Sequence, residues 1–310
     1  MMLLRLGAGL GLFVGSLAAG WWLHRQHLLT EARASRIIRL LVVGPSPLAL
    51  CLAFWKMNLR SPEPWLLPFL GLLIACSTLA PALLYAKRAT LPDSQTGSFL
   101  TCALFSNVGY LGAYAAFAVF GEAAYALCML YLVFFTPCFY TLGFWIASRY
   151  GGPAVSSGFA AVSDDKLRLY PFLGMLAGIV LNLARVARPL PLEWLNHALI
   201  PVNTGLYLMA IGSQLTFASP TPWLRPCWAM SGIKFFYTPL VAWLLVSLFH
   251  IQGLPRFVVL LEASAPVAVS PLMFPLLFRL DRKLANALWL FTTIAAVPWT
   301  ILILPLLTRL

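Results

Sequence analysis

The sequence predicts an all-α polytopic membrane protein with ten transmembrane helices arranged as two inverted five-helix repeats. Three observations lead there. The 310-residue chain is 61% hydrophobic and only 10% charged, with a mean hydropathy of +0.87, whereas soluble domains carry roughly 25% charged residues. Apolar runs long enough to cross a bilayer recur from end to end, and none alternates in the manner of a barrel strand. Two of these runs are interrupted, and the interruptions fall at matching places in the two halves of the chain.

In order, the runs lie near Leu3–Leu23, Ile37–Trp55, Trp65–Tyr85, Phe99–Phe120 and Ala123–Ala147. After a polar, Gly- and Ser-rich stretch they continue near Tyr170–Ala187, His197–Leu215, Trp228–Phe249, Phe257–Phe278 and Leu284–Leu307. This gives a first repeat over 1–150, a central cytoplasmic loop over 151–168 containing Asp164-Asp165-Lys166, and a second repeat over 169–310. An odd number of spans per unit requires the second copy to be inverted. The first run is longer than the core of a secretory signal. Its Trp21-Trp22 followed by Arg25 reads as an interface belt, so it counts as a span.

The formal net charge is +12. In a soluble chain that excess would point to nucleic acid, but here the cations gather at the ends of apolar runs. With the amino terminus outside, the inner loops hold twice as many Lys and Arg as the outer ones, among them Arg33, Arg36, Arg39, Arg279, Arg282 and Lys283. That asymmetry predicts both termini on the non-cytoplasmic side, and the basic loops are read as lipid-facing, with no nucleic-acid partner. The six cysteines stand singly without CxxC spacing and the four histidines fall near run ends, so no metal or cofactor is expected. HExxH, GxSxG and P-loop patterns are absent, and no catalytic pair lies at depth, which argues against an enzyme.

The fourth run contains Phe105-Ser106-Asn107-Val108-Gly109-Tyr110-Leu111-Gly112-Ala113-Tyr114. An amide and two glycines suit a lipid-facing helix poorly. Gly costs about 1 kcal/mol relative to Ala in a helix interior, and a buried amide needs partners. The ninth run carries Glu262-Ala263-Ser264-Ala265-Pro266 at the corresponding place. Asn107 and Pro266 each lie roughly 12–15 Å from the start of their runs, near the middle of a ~30 Å hydrocarbon core. Helices broken there free backbone N–H groups and present positive half-helix ends, a ready site for an anion. The predicted substrate-binding residues are therefore Asn107, Gly109, Tyr110, Gly112, Tyr114, Ser264, Ala265 and Pro266. Glu262 lies within an apolar run, where a charge costs at least ~2.5 kcal/mol. It is read as a proton-coupling carboxylate, as a partner of Lys234, or as a hydrated group near the outer interface, with Glu262 and Lys234 the candidate coupling residues. Pro45-Ser46-Pro47 and Gly212-Ser213-Gln214 hold corresponding places in the two halves, as a kink and a capped helix end or as linings of the substrate path.

Asn107-Val108-Gly109-Tyr110-Leu111-Gly112 resembles the Asn-x-Gly-[Phe/Tyr]-x-Gly signature in the fourth span of the auxin efflux carrier family, which includes plant auxin exporters and bacterial carboxylate permeases. Ile200-Pro201-Val202 with Ile211-Gly212-Ser213-Gln214-Leu215 is similar to its seventh span, and Ser264-Ala265-Pro266 with the run to Asp281 to its ninth. The family usually places a proline two residues after the last glycine of the first motif; here that position is Tyr114. The resemblance implies a bile acid:sodium symporter-like fold, with helices four and nine broken and crossing. It further implies a scaffold of spans one, two, six and seven, an elevator-like moving domain, a homodimer, and a location in a bacterial inner (plasma) membrane. The expected function is secondary transport of a small organic anion, with possible proton or sodium coupling. The alternatives are a sodium-coupled symporter of the bile-acid type and a non-transporting receptor or scaffold with the same fold.

Overall fold

The computed structural model describes residues 2–59, 61–153, 169–213 and 221–307. Most of the central loop, together with Gln214 and Leu215, lies outside the described residues. The described chain is helical, and its one extended pairing is an isolated bridge between Ser106 and Val267. The first half holds α1 (Met2–Arg25), α2 (Glu31–Val43), α3 (Pro45–Lys56), α4 (Glu63–Ser77), α5 (Leu79–Arg88), α6 (Asp93–Leu104), α7 (Ala113–Phe120), α8 (Glu122–Tyr131), α9 (Phe135–Cys138) and α10 (Phe144–Gly151). The second half holds α11 (Leu169–Leu183), α12 (Leu190–Gly212), α13 (Leu224–Gly232), α14 (Thr238–Leu248), α15 (Gly253–Ala263), α16 (Phe274–Phe278) and α17 (Arg282–Leu307).

Several of these are successive pieces of one rod. Among the described residues five rods are long and apolar enough to cross a membrane: Glu31–Lys56, Glu63–Arg88, Glu122–Gly151, Leu224–Leu248 and Arg282–Ile303. Large apolar side chains such as Phe69, Phe236 and Leu302 are more exposed than buried, as on a chain whose outer solvent is hydrocarbon. Pro45-Ser46-Pro47 acts as expected: Gly44 interrupts the rod and Pro45 opens α3, where a missing N–H costs nothing. Two further rods are interrupted and take the number of their apolar run in the sequence, the fourth (α6 with α7) and the ninth (α15 with α16); the fourth begins at Asp93, earlier than its apolar run suggests, because its polar first turns are tied to protein. Ser98 Oγ donates to the Asp281 carbonyl at 2.9 Å, and Thr96 Oγ1 donates to the Leu91 carbonyl at 3.1 Å.

The chain divides into two compact units that interleave its sequential halves. The first comprises Met1–Pro64, Gly109–Met129 and Asp164–Leu215; the second comprises Trp65–Val108, Leu130–Ser163 and Thr216–Leu310. In the first unit glycines set the helix contacts. A Cβ at Gly174 or Gly178 on α11 would run into the backbone of Pro47 or Cys51 on α3, four residues apart on both helices. Gly20 on α1 meets the Met209 backbone of α12, and Gly212 meets Leu17. Small residues one turn apart let backbones approach closely where no hydrophobic force drives them together.

The second unit is built on rings. Phe105, Phe139, Phe144, Phe274 and Phe278 form a chain of contacts, with centroids 5.4 Å apart for Phe105–Phe139, 4.5 Å for Phe139–Phe274 and 5.1 Å for Phe144–Phe278. Gly143 lies beneath this cluster, where a Cβ would press on the Phe274 and Phe105 rings.

Candidate functional site

The fourth rod breaks where a polar pair replaces the apolar run. α6 ends at Leu104, Phe105 turns extended (φ −107°, ψ 121°), and Ser106 forms the bridge to Val267. Ser and Asn favour such departures because their side chains compete for backbone groups. The Phe105 ring anchors the break in the aromatic cluster, 5.0 Å from Phe135. The ninth rod breaks after Ala263. Pro266 has no N–H, and the chain runs without helix to a short tight turn at Ser270–Met273.

The two breaks meet within the second unit. The Asn107 N–H donates to the Pro266 carbonyl at 2.7 Å, and the Ala268 N–H donates to the Phe105 carbonyl at 3.0 Å. Two antiparallel backbone bonds thus join the interruptions that the sequence placed at matching positions. The Val267 N–H is taken by Thr292 Oγ1 of α17 at 3.2 Å, and the Ala265 N–H returns to the Glu262 carbonyl at 3.1 Å. Most backbone donors expected to be free for a ligand are therefore engaged in holding the crossing. Ser264 is also committed, its hydroxyl bonding the Leu260 carbonyl at 2.9 Å.

Asn107 differs. It is only 5% exposed, and its backbone N–H is satisfied by the Pro266 carbonyl. An amide so far from bulk solvent needs hydrogen-bond partners. This one stands at the junction of two interrupted helices.

The rest of the predicted motif has a different geometry. Gly109, Tyr110 and Gly112 do not form the interruption, which lies one step earlier at Phe105–Asn107; they are wound into a π turn, Val108–Gly112, that runs into α7. In the first unit the Tyr110 ring lies 5.2 Å from Tyr207. Tyr114, in the first turn of α7, is buried against Gly9 of α1 and stacks 6.1 Å from Phe117. Glu262 is fully buried. It lines a cavity of about 40 Å³ with Leu104, Ser106, Thr238 and Ala263. That space suits one or two waters, whereas sites for small organic ligands run to roughly 300 Å³ and above. Lys234 is also fully buried. Its Nζ donates to the Ala103 carbonyl at 2.6 Å and to Ser106 Oγ at 2.8 Å.

Sequence reasoning missed Ser106, Thr78 and Thr292, single hydroxyls in apolar runs that give no signal until their partners are known. Thr78 Oγ1 reaches the same Ala103 carbonyl at 2.9 Å. Of the paired polar stretches, Ser46 bonds Asn203 Oδ1 at 3.2 Å and Ser213 bonds the Ala210 carbonyl at 2.8 Å, both inside the first unit.

A second cluster, also missed, belongs to the first unit. Arg188 and Glu122 form a buried pair at 2.7 Å, and Glu122 lies 3.9 Å from His197. Glu193 bonds Lys56 at 2.6 Å, and that hydrogen-bonded ammonium holds its carboxyl below the ordinary carboxylate range. With Lys56, His197 and Gly121, the two carboxylates line a cavity of about 420 Å³. These residues sit at run ends and read from sequence as ordinary loop charges.

No family model matches the chain. It is 28% identical over 216 residues to an uncharacterized transporter of Methanocaldococcus jannaschii, covering 66% of each chain. It is 22% identical over 282 residues to an uncharacterized transporter of Methanothermobacter thermautotrophicus, covering 90% of each. Both relatives carry the name of uncharacterized transporters.

Proposed function

We propose that this chain is a secondary transporter of a small organic anion, a carboxylate, and that Asn107 at the crossing of the two broken rods is its principal ligand. The observation that carries this reading is the meeting of the two breaks, joined by the Asn107 backbone, with the largely buried Asn107 side chain at the junction. An amide offers donors to a carboxylate. The similarity to proteins named transporters supports the general class.

In this reading the chain is two inverted repeats of five spans. The first unit pairs α1 with α12 and α3 with α11, that is, spans one with seven and two with six. Those two pairs exchange when the repeats are exchanged, as do the two broken rods. The first unit then acts as scaffold and as the contact of a homodimer, and the second unit moves as an elevator. Both termini lie outside the cytoplasm.

The test is flux. Organic acids are screened by thermal shift on purified protein, and hits are followed into proteoliposomes. Asn107→Ala is expected to lower flux at least roughly tenfold, the worth of one hydrogen bond to a charged group, with little change in melting. Undiminished flux in that variant removes the proposed site. A non-transporting binding protein is the second reading, favoured by Tyr114 in place of proline in an intact helical turn. Saturable binding of a carboxylate without flux would establish it.

A further inference from the structure

α6 ends at Leu104, and a helix carboxyl end carries a partial negative charge of about half a unit. At membrane depth such an end and its unwound carbonyls form a natural seat for a cation. Here the seat is taken by protein. The Lys234 ammonium donates to the Ala103 carbonyl and to the Ser106 hydroxyl, one residue before and two after the helix end. Lys234 and Ala103 are both fully buried. Lys234 lies in a π turn, Ile233–Tyr237, and Thr238 closes back onto the Lys234 carbonyl at 3.2 Å. A π turn widens a rod by one residue and re-aims the side chains in it. The two oxygens that receive the ammonium are of the kind that coordinate alkali ions, and the only adjoining cavity among those described holds about 40 Å³. Ser106, which holds the ammonium, and Glu262 both wall that cavity, so a tethered positive charge already stands beside the carboxyl that a free cation would otherwise neutralise.

We propose that Lys234 is a tethered cation standing where a free alkali ion would otherwise sit, so that the first break is locked without sodium and binds no alkali ion. The inference rests on the transport reading only for its consequence, that flux does not depend on sodium.

The test on the binding side uses purified protein in detergent and needs neither substrate nor transport. Replacing choline with sodium is expected to leave the wild-type melting temperature within about 1 °C, since a ligand that binds the folded state raises it. Lys234→Ala in choline is expected to melt roughly 5 °C or more lower, and sodium or methylammonium to restore part of that loss. Ser106→Ala removes one acceptor but keeps the ammonium, so its smaller loss is expected not to respond to sodium. Three results overturn the proposal: stabilisation of wild type by sodium over choline, an undiminished melting temperature in Lys234→Ala, or a Lys234→Ala loss that neither cation repairs. Should Lys234→Ala fail to fold, the wild-type and Ser106→Ala titrations still decide. A chain that proves not to transport leaves the thermal results standing, whereas sodium-dependent flux overturns the coupling consequence.

Discussion

The two breaks in the second unit are made by opposite means. At the ninth rod a proline withdraws an N–H, so the helix cannot continue whatever surrounds it, and the loose ends are then collected by Thr292 and Glu262. At the fourth rod no residue forbids a helix. Phe105 is extended because its ring is held in the aromatic cluster, and Ser106–Asn107 depart because the second break offers them backbone partners. One interruption is written in covalent chemistry and the other depends on its neighbours. The teaching is that a conditional break lasts only while its neighbours hold it, whereas the obligate one must recruit partners for the backbone groups it frees.

Three substitutions probe this contrast, from the largest effect to the smallest. Tyr114→Pro puts a proline where the π turn enters α7, removes an N–H and strips a ring from Gly9. The loss of stability is expected at about 3 kcal/mol or more, read as a fall in denaturation midpoint. A variant that melts like wild type would mean that the helix following the first break tolerates a second, obligate interruption and that the contrast is superficial. Thr292→Val leaves the Val267 N–H buried without its acceptor, with an expected loss of about 1–3 kcal/mol in the same assay. No measurable change would show that the second break is repaired by other groups. Ser264→Ala removes a hydroxyl whose bond returns to its own helix, and is expected to cost under ~1 kcal/mol and to leave flux intact. Loss of flux with normal melting would move the ligand set from Asn107 toward the ninth rod.

Much of this was legible in the residues. Alternation of long apolar runs with basic connections gave the helical segments, and Pro266 with the Asn107 motif gave both interrupted rods. The finer geometry was hidden for identifiable reasons. Gly109 and Gly112 suggest an interruption because glycine tolerates one, yet tolerance is not a requirement, and packing wound them into a π turn. The polar start of α6 reads as loop because the Ser98–Asp281 contact that buries it spans 183 positions. The freed donors of the breaks were foreseen as ligand groups because each was considered alone, whereas in the fold they satisfy one another. Arg188 and Glu122 look like surface charges at run ends, and only tertiary structure brings them together.

The Lys234 contact also bears on how the chain is made. The rod Leu224–Leu248 is the least apolar of the five long ones, and it carries a cation at its middle. An isolated lysine at the centre of a helix raises the cost of insertion by about 2.5–3.5 kcal/mol. Its acceptors Ser106 and Ala103 precede it by 128 and 131 positions, so at ~5–20 residues per second they are synthesised roughly 6–26 s earlier. The receiving end of α6 is thus already made when the lysine leaves the ribosome, and the order of synthesis itself favours entry of the rod.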